Sequence, residues 1–233
     1  MFLHWSWFLV AIYEVQMWRS IFSSPVWAAL LYIGLFVIVT MHEFGHAVAC
    51  RQVGGQANRI VLWPLGGIAF VSPPPRAGAM LWSIAAGPLV NVLLVPILTF
   101  AQHAAARAGW VNDNVDAYLI LHWLWKINLG LLIFNLLPIY PLDGGQIVRA
   151  LLWFPLGQIR SLFIATGIGF VGGGALILFA LWQQSIWIGI MALFLLSQAG
   201  FGWRQARALQ LEASEAARIV PDDSHLPEKE VVL

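Results

Sequence analysis

Apolar residues in this chain run in long blocks, without the polar interruptions that a soluble helix or strand carries on its outer face. Five stretches, over residues 26–49, 78–102, 117–139, 161–182 and 186–203, come close to the ~20 residues an α-helix needs to cross a hydrocarbon core of roughly 30 Å. Tryptophans such as Trp27, Trp82, Trp182 and Trp203 punctuate their ends, where an amphipathic ring sits at headgroup level. A sixth stretch, 5–18, is interrupted by Glu14 and Gln16, a pattern that fits a crossing, a re-entrant or a flat-lying segment. It has neither a basic start nor a small-residue cleavage site, so it does not read as a signal peptide.

Two regions break the helical pattern. Residues 59–71 place β-branched and aromatic side chains on both sides of Pro64, Gly66 and Gly67, which predicts a short β-hairpin over about 60–71 at the membrane surface. Pro73, Pro74 and Pro75 then stiffen the return to the next helix. From Arg204 an Ala/Leu/Arg/Glu pattern reads as helix to about Ile219, and beyond Pro221 the composition is that of disorder. The predicted architecture is an all-α polytopic membrane protein with five to six transmembrane helices and one surface hairpin. Residues 1–203 form the membrane domain and 204–233 a cytoplasmic tail. Gly169 and Gly173 give the fourth block a small-residue face for close helix packing.

Composition sharpens this picture. Hydrophobic residues make up 60% of the chain and charged ones 10%, against about a quarter charged in a soluble domain. With 233 residues, a membrane core of this size leaves no room for a second folded domain of typical size. A net charge of +1, with the 12 Lys and Arg scattered along the chain, lacks the concentrated basic patch that nucleic acid requires. The single cysteine, Cys50, excludes an internal disulfide framework. Arg51, Arg59 and Arg76 follow the first block, Arg149 and Arg160 the third, and Arg204, Arg207, Arg218 and Lys229 the fifth. By the positive-inside rule the loops near 51–77 and 140–160 and the C-terminus are cytoplasmic.

The sharpest chemical signal is His42-Glu43-Phe44-Gly45-His46, toward the cytoplasmic end of the first long block. An i, i+4 spacing sets both imidazoles on one helical face about 6 Å apart along the axis, suited to grip one zinc ion, with Glu43 placed to reach a water at that metal. The chain's own residue frequencies give a chance expectation of about 0.004 such motifs. Three ionisable groups within one turn of a membrane helix are also costly unless they act.

A catalytic zinc normally takes three protein ligands. Cys50 continues the i+4 stripe but lies about 12 Å from His42 along a straight helix, too far for bonds near 2 Å, and reads as a small packed residue. Asp143 is the better candidate. It follows Asn135-Leu-Leu-Pro138-Ile-Tyr-Pro141-Leu, where two prolines break the third helix, and it returns to the cytoplasmic side at the depth of the histidines. Capping of the next helix is the other reading of this aspartate.

His42-Glu43-Phe44-Gly45-His46, Gly87-Pro88-Leu89-Val90-Asn91 and Asn135-x-x-Pro138-x-x-x-x-Asp143-Gly144, in this order, resemble the site-2 protease family of intramembrane zinc metalloproteases. The likeness covers about residues 26–150 and is greatest to the compact bacterial branch, which includes sigma-factor-processing proteases of sporulation. Larger members carry a PDZ or CBS domain, and no such domain is read here. The resemblance implies that His42, His46 and Asp143 hold one Zn2+, that Glu43 is the general base and that Asn135 lies near the scissile peptide. It also implies that the hairpin, including Gly66 and Gly67, presents an edge strand to substrate. The implied partners are the lipid bilayer and a membrane-protein substrate, single-pass, in a bacterial cytoplasmic membrane. A membrane metal transporter or a metal-binding scaffold is the alternative. A transporter, however, spreads polar ligands along a crossing path, often within an inverted repeat, whereas these candidates gather at one depth.

Overall fold

In the computed structural model, which describes residues 2, 3, 6–63 and 66–219, the apolar blocks become helices. In chain order the elements are β1 (Phe2–Leu3), α1 (Ser6–Trp18), α2 (Pro25–Gln52), β2 (Gln56–Trp63), β3 (Gly66–Ser72), α3 (Ala77–Arg107), α4 (Trp110–Asp113), α5 (Val115–Asn135), α6 (Asp143–Trp182) and α7 (Ile186–Ile219). α2, α3, α5, α6 and α7 are each long and apolar enough to cross a bilayer, and the chain is an integral membrane protein. The sixth stretch is shorter. α1 has 13 residues, about 20 Å of helix against a core of roughly 30 Å. Its Glu14 carboxylate accepts the Trp18 indole N–H at 2.6 Å, and Val15 and Trp18 pack on Phe22, in the turn before α2, and on Ala28 and Leu31 at its start.

The hairpin is longer than its apolar centre predicts. β2 and β3 pair antiparallel from Gln56 opposite Ser72 to Trp63 opposite Gly66. A third strand joins them: Phe2 and Leu3 pair parallel with Val61 and Leu62, giving the order β1-β2-β3. β2 is thereby flanked on both sides, and β3 is the long edge of the sheet.

The loop predicted near 140–160 is mostly helix. α6 begins at Asp143 and is broken at Gly157 (φ 78°, ψ 170°), a backbone region open essentially to glycine alone. The chain reverses there. A Cβ on Gly169 would lie 2.7 Å from the Tyr140 carbonyl, and one on Gly172 would lie 2.6 Å from the Ile139 side chain; a straight 40-residue helix, ~60 Å long, could not bring these levels together. Residues 143–156 therefore run from the depth of Asp143 to the turn, and 158–182 return past it. The small-residue face takes part as expected: Gly169 abuts Tyr140 and Ala199, and Gly173 abuts Leu196 of α7. α7 carries residues 204–219 as an unbroken continuation of the last span. The stretch predicted as disordered beyond Pro221 lies outside the described residues, as do His4 and His225.

Candidate metal centre

His42 and His46 point from α2 into its contact with α3, and two glycines make that contact close. A Cβ on Gly45 would stand 2.7 Å from the Ala86 carbonyl oxygen. One on Gly87 would overlap His46 Nε2 and lie 2.8 Å from His42 Nε2. α3 thus offers a notch to the two ring nitrogens. Asp143 arrives from the other side. It is the first residue of α6, and Leu142 occupies the cap position, so the carboxylate is not spent on capping. Gly144 and Gly145 let the 136–142 segment fold back over the first turn of α6: a Cβ on either would overlap the backbone of that segment. The fold-back is held by Leu142 N–H donating to the Ile139 carbonyl (2.8 Å) and by the Gln146 amide donating to the Pro141 carbonyl (3.0 Å).

The three side chains meet. Asp143 Oδ2 is 3.0 Å from His42 Nε2 and 3.5 Å from His46 Nε2, and the two Nε2 atoms are 3.1 Å apart. The far nitrogen of each ring faces an acceptor: His42 Nδ1 is 2.5 Å from Asn91 Oδ1, and His46 Nδ1 is 2.9 Å from the Ser83 carbonyl. Each Nδ1 therefore carries the proton it donates, and in the neutral ring each Nε2 presents a bare lone pair. Two such lone pairs then face a buried carboxylate oxygen that has no hydrogen-bond partner among the described residues.

Three acceptors this close repel unless a cation lies among them. Tetrahedral ligands with zinc bonds near 2.0–2.1 Å stand about 3.3 Å apart, within the observed range of 3.0–3.5 Å. His, His and carboxylate is also a donor set of catalytic zinc sites, and ring N–H groups tied to outer acceptors are the usual support of such ligands. The residues fit a zinc ion.

Glu43 is buried beside them, 5% exposed, on the same turn of α2 as His42. Asn135 is the last residue of α5, and among the described residues its amide has no hydrogen-bond partner. Gly66 and Gly67 open β3, opposite Trp63 and Leu62. Cys50 is fully buried and packs with Ala47 and Ala57. His103 is tied to its own helix through the Thr99 carbonyl, and His122 lies against Trp123. The outer partners Ser83 and Asn91, and the Gly87 notch, were not legible as site elements. Gly87 and Asn91 stood in a motif with no role at the metal assigned to either, and a backbone carbonyl leaves no trace in sequence.

Comparison with known proteins agrees with this centre. The chain matches the family models Peptidase M50B-like over residues 8–141 and Peptidase family M50 over residues 103–180. It is 34% identical over 175 residues to zinc metalloprotease MJ0392 of Methanocaldococcus jannaschii, covering 75% of this chain and 50% of that protein. It is 32% identical over 119 residues to stage IV sporulation protein FB of Bacillus subtilis, covering 49% of this chain and 37% of that one. The chain thus spans about half the length of the first relative and little more than a third of the second. A solved structure, the site-2 protease from Methanocaldococcus jannaschii, superposes with a TM-score of 0.62 at 28% identity, covering 86% of this chain and 89% of the other.

Proposed function

The chain belongs to peptidase family M50, the site-2 proteases, and we propose that it is a zinc-dependent intramembrane endopeptidase. It hydrolyses a peptide bond within or next to a transmembrane segment of a membrane-bound, single-pass substrate, the chemistry of regulated intramembrane proteolysis. The observation that carries this reading is the convergence of lone pairs from His42, His46 and Asp143 within 3.5 Å beside a buried glutamate.

His42, His46 and Asp143 hold one zinc ion, which when bound supplies Lewis acidity towards water and a peptide carbonyl. Glu43 accepts a proton from the attacking water and returns it to the amine nitrogen that leaves, so no net proton is consumed at the carboxylate. The Asn135 amide donates to the scissile carbonyl oxygen as negative charge develops there. Burial of the cluster keeps bulk water from competing for these contacts.

A transmembrane substrate arrives as a helix whose carbonyls are already hydrogen-bonded, so the peptide must unwind before water can attack. Pairing of the unwound strand with β3, from Gly66 and Gly67 onward, replaces those hydrogen bonds by strand addition. Substrates therefore carry Gly, Pro or Asn near the cut. The arginines after α2 and in α7 support a centre toward the cytoplasmic side; on this reading the membrane is a bacterial cytoplasmic one, residues 1–203 are the membrane domain and 204–233 a cytoplasmic tail.

The test is cleavage of a single-pass substrate with a Gly/Pro-weakened helix by purified, zinc-loaded protein beside its Glu43→Gln variant. The expected result is cutting inside the membrane segment by the native chain. Glu43→Gln retains zinc and loses about 10²- to 10⁴-fold in rate. Substantial turnover by Glu43→Gln would remove Glu43 from the proton-transfer role. Failure of the native protein to cut any of a panel of such helices would favour a metal-binding protein without peptidase activity.

A further inference from the structure

We propose that Asn128, in the middle of α5, is a positioning residue that fixes the tautomer of His42 from outside the metal centre. The inference rests on the metal-holding reading of His42 and adds to it the residue that decides which way the ring presents its lone pair.

A side-chain amide can face a neighbour with its oxygen or with its nitrogen, and the choice is made by its other partners. For Asn91 that choice is chemical. With Oδ1 toward His42 Nδ1, the ring must hold its proton on Nδ1 and present a lone pair at Nε2. With Nδ2 there instead, Nδ1 must accept, the proton moves to Nε2, and the ring turns an N–H toward Asp143 where a metal has to bind.

The sense is set by a chain of hydrogen bonds that starts at a group with no freedom. The Asn91 backbone carbonyl can only accept, and Asn128 Nδ2 donates to it at 3.0 Å. That fixes the Asn128 amide, whose Oδ1 must then be the atom facing Asn91 Nδ2, at 2.8 Å. Asn91 Nδ2 is thereby committed as a donor, and its Oδ1 is left for His42 Nδ1 at 2.5 Å. From a main-chain oxygen on α3, through α5 and back, each step has one solution. Both asparagines are fully shielded from solvent, so no water can substitute for a missing partner. A fully buried amide in a membrane-spanning helix is costly, and here both ends of it are used.

The experiment compares zinc affinity, by chelator competition on folded detergent-purified protein, in the native chain, Asn128→Leu, Asn91→Leu and the double variant. Asn128→Leu should weaken zinc binding measurably, by as much as the about 10- to 100-fold that follows from removing a ligand's direct outer partner, here Asn91. Adding Asn128→Leu to Asn91→Leu should cost nothing further, because Asn128 acts only through Asn91. Leu132→Ala, which thins the same helix at a buried position, should lower stability but leave the affinity of the folded protein within about twofold. A residue that merely packs would behave like Leu132.

Nitrogen-15 NMR of the His42 ring in the zinc-free native protein supplies a measurement that needs no variant to fold. It should show a single Nδ1–H tautomer. An Nε2–H ring in the native protein, unchanged affinity in Asn128→Leu, or a full extra loss in the double variant would each overturn the proposal. Absence of zinc binding by the native protein would instead overturn the reading on which it rests.

Discussion

Replacing Gly87 with alanine adds one methyl group at the place where α3 faces the two ring nitrogens, and its effect can be worked from the structure. The new Cβ would lie 2.8 Å from His42 Nε2 and nearer still to His46 Nε2, whereas ordinary contact begins at 3.4 Å. α3 must therefore retreat from His42 by about 0.6 Å, and further from His46, or the rings must turn. If the rings yield instead, a shift of about 0.6 Å is about three times the roughly 0.2 Å that zinc tolerates in its bond lengths; if α3 yields, His42 and His46 lose their Nδ1 acceptors on that helix.

Two smaller effects on stability oppose each other. Alanine in a helix interior is favoured over glycine by ~1 kcal/mol, and over-packing of this kind costs ~1–3 kcal/mol. Gly87→Ala should accordingly fold, with a net loss of at most about 2 kcal/mol, yet bind zinc at least about 100-fold more weakly. Gly130 serves as the control, because it is exposed and nothing stands within 4 Å of a Cβ built on it; Gly130→Ala should leave both quantities unchanged or slightly improved. The assay is zinc competition against a chromophoric chelator together with thermal unfolding in detergent. If Gly87→Ala bound zinc within about threefold of the native chain, the metal would not lie in the notch between α2 and α3.

Gly157→Ala should lower stability by ~1–3 kcal/mol, because the reversal in α6 uses a backbone conformation that a Cβ disfavours. Gly167→Ala, at a position with no neighbour within 4 Å, should not, and equal unfolding temperatures for the two would contradict the strain argument. Among substrates, an uninterrupted poly-Leu segment should be cut far more slowly than the same segment carrying Gly-Pro near the cytoplasmic end. Equal rates would mean that unwinding does not limit the reaction.

What the sequence revealed follows the range of the interactions involved. The five spans were legible because each is a local run of the length set by the bilayer, and the histidine pair because an i, i+4 spacing is a complete geometric statement within one helix. Asp143 required knowledge of where the chain returns, which the prolines and the resemblance supplied. Residues 140–160 were misread as loop because they lie between two apolar blocks and carry Arg149 and Arg160, and only contacts such as Gly169 against Tyr140 reveal a helical hairpin. β1 is two residues long, too short for any periodicity to register. Asn128 was overlooked for a different reason. A lone amide in an apolar run signals only that it has some partner, and which one depends on the registry of α3 against α5.

The distance in sequence between the ligands has a bearing on biogenesis. His42 and His46 enter the bilayer with the first long helix, almost a hundred residues before Asp143 is translated. Until α6 has turned at Gly157 and settled on α3, the chain offers a metal two of the three ligands. Zinc capture, and on the proposed reading peptide hydrolysis, is thus acquired in one late step of assembly. On that reading, a half-built chain in the membrane cannot yet cut its neighbours.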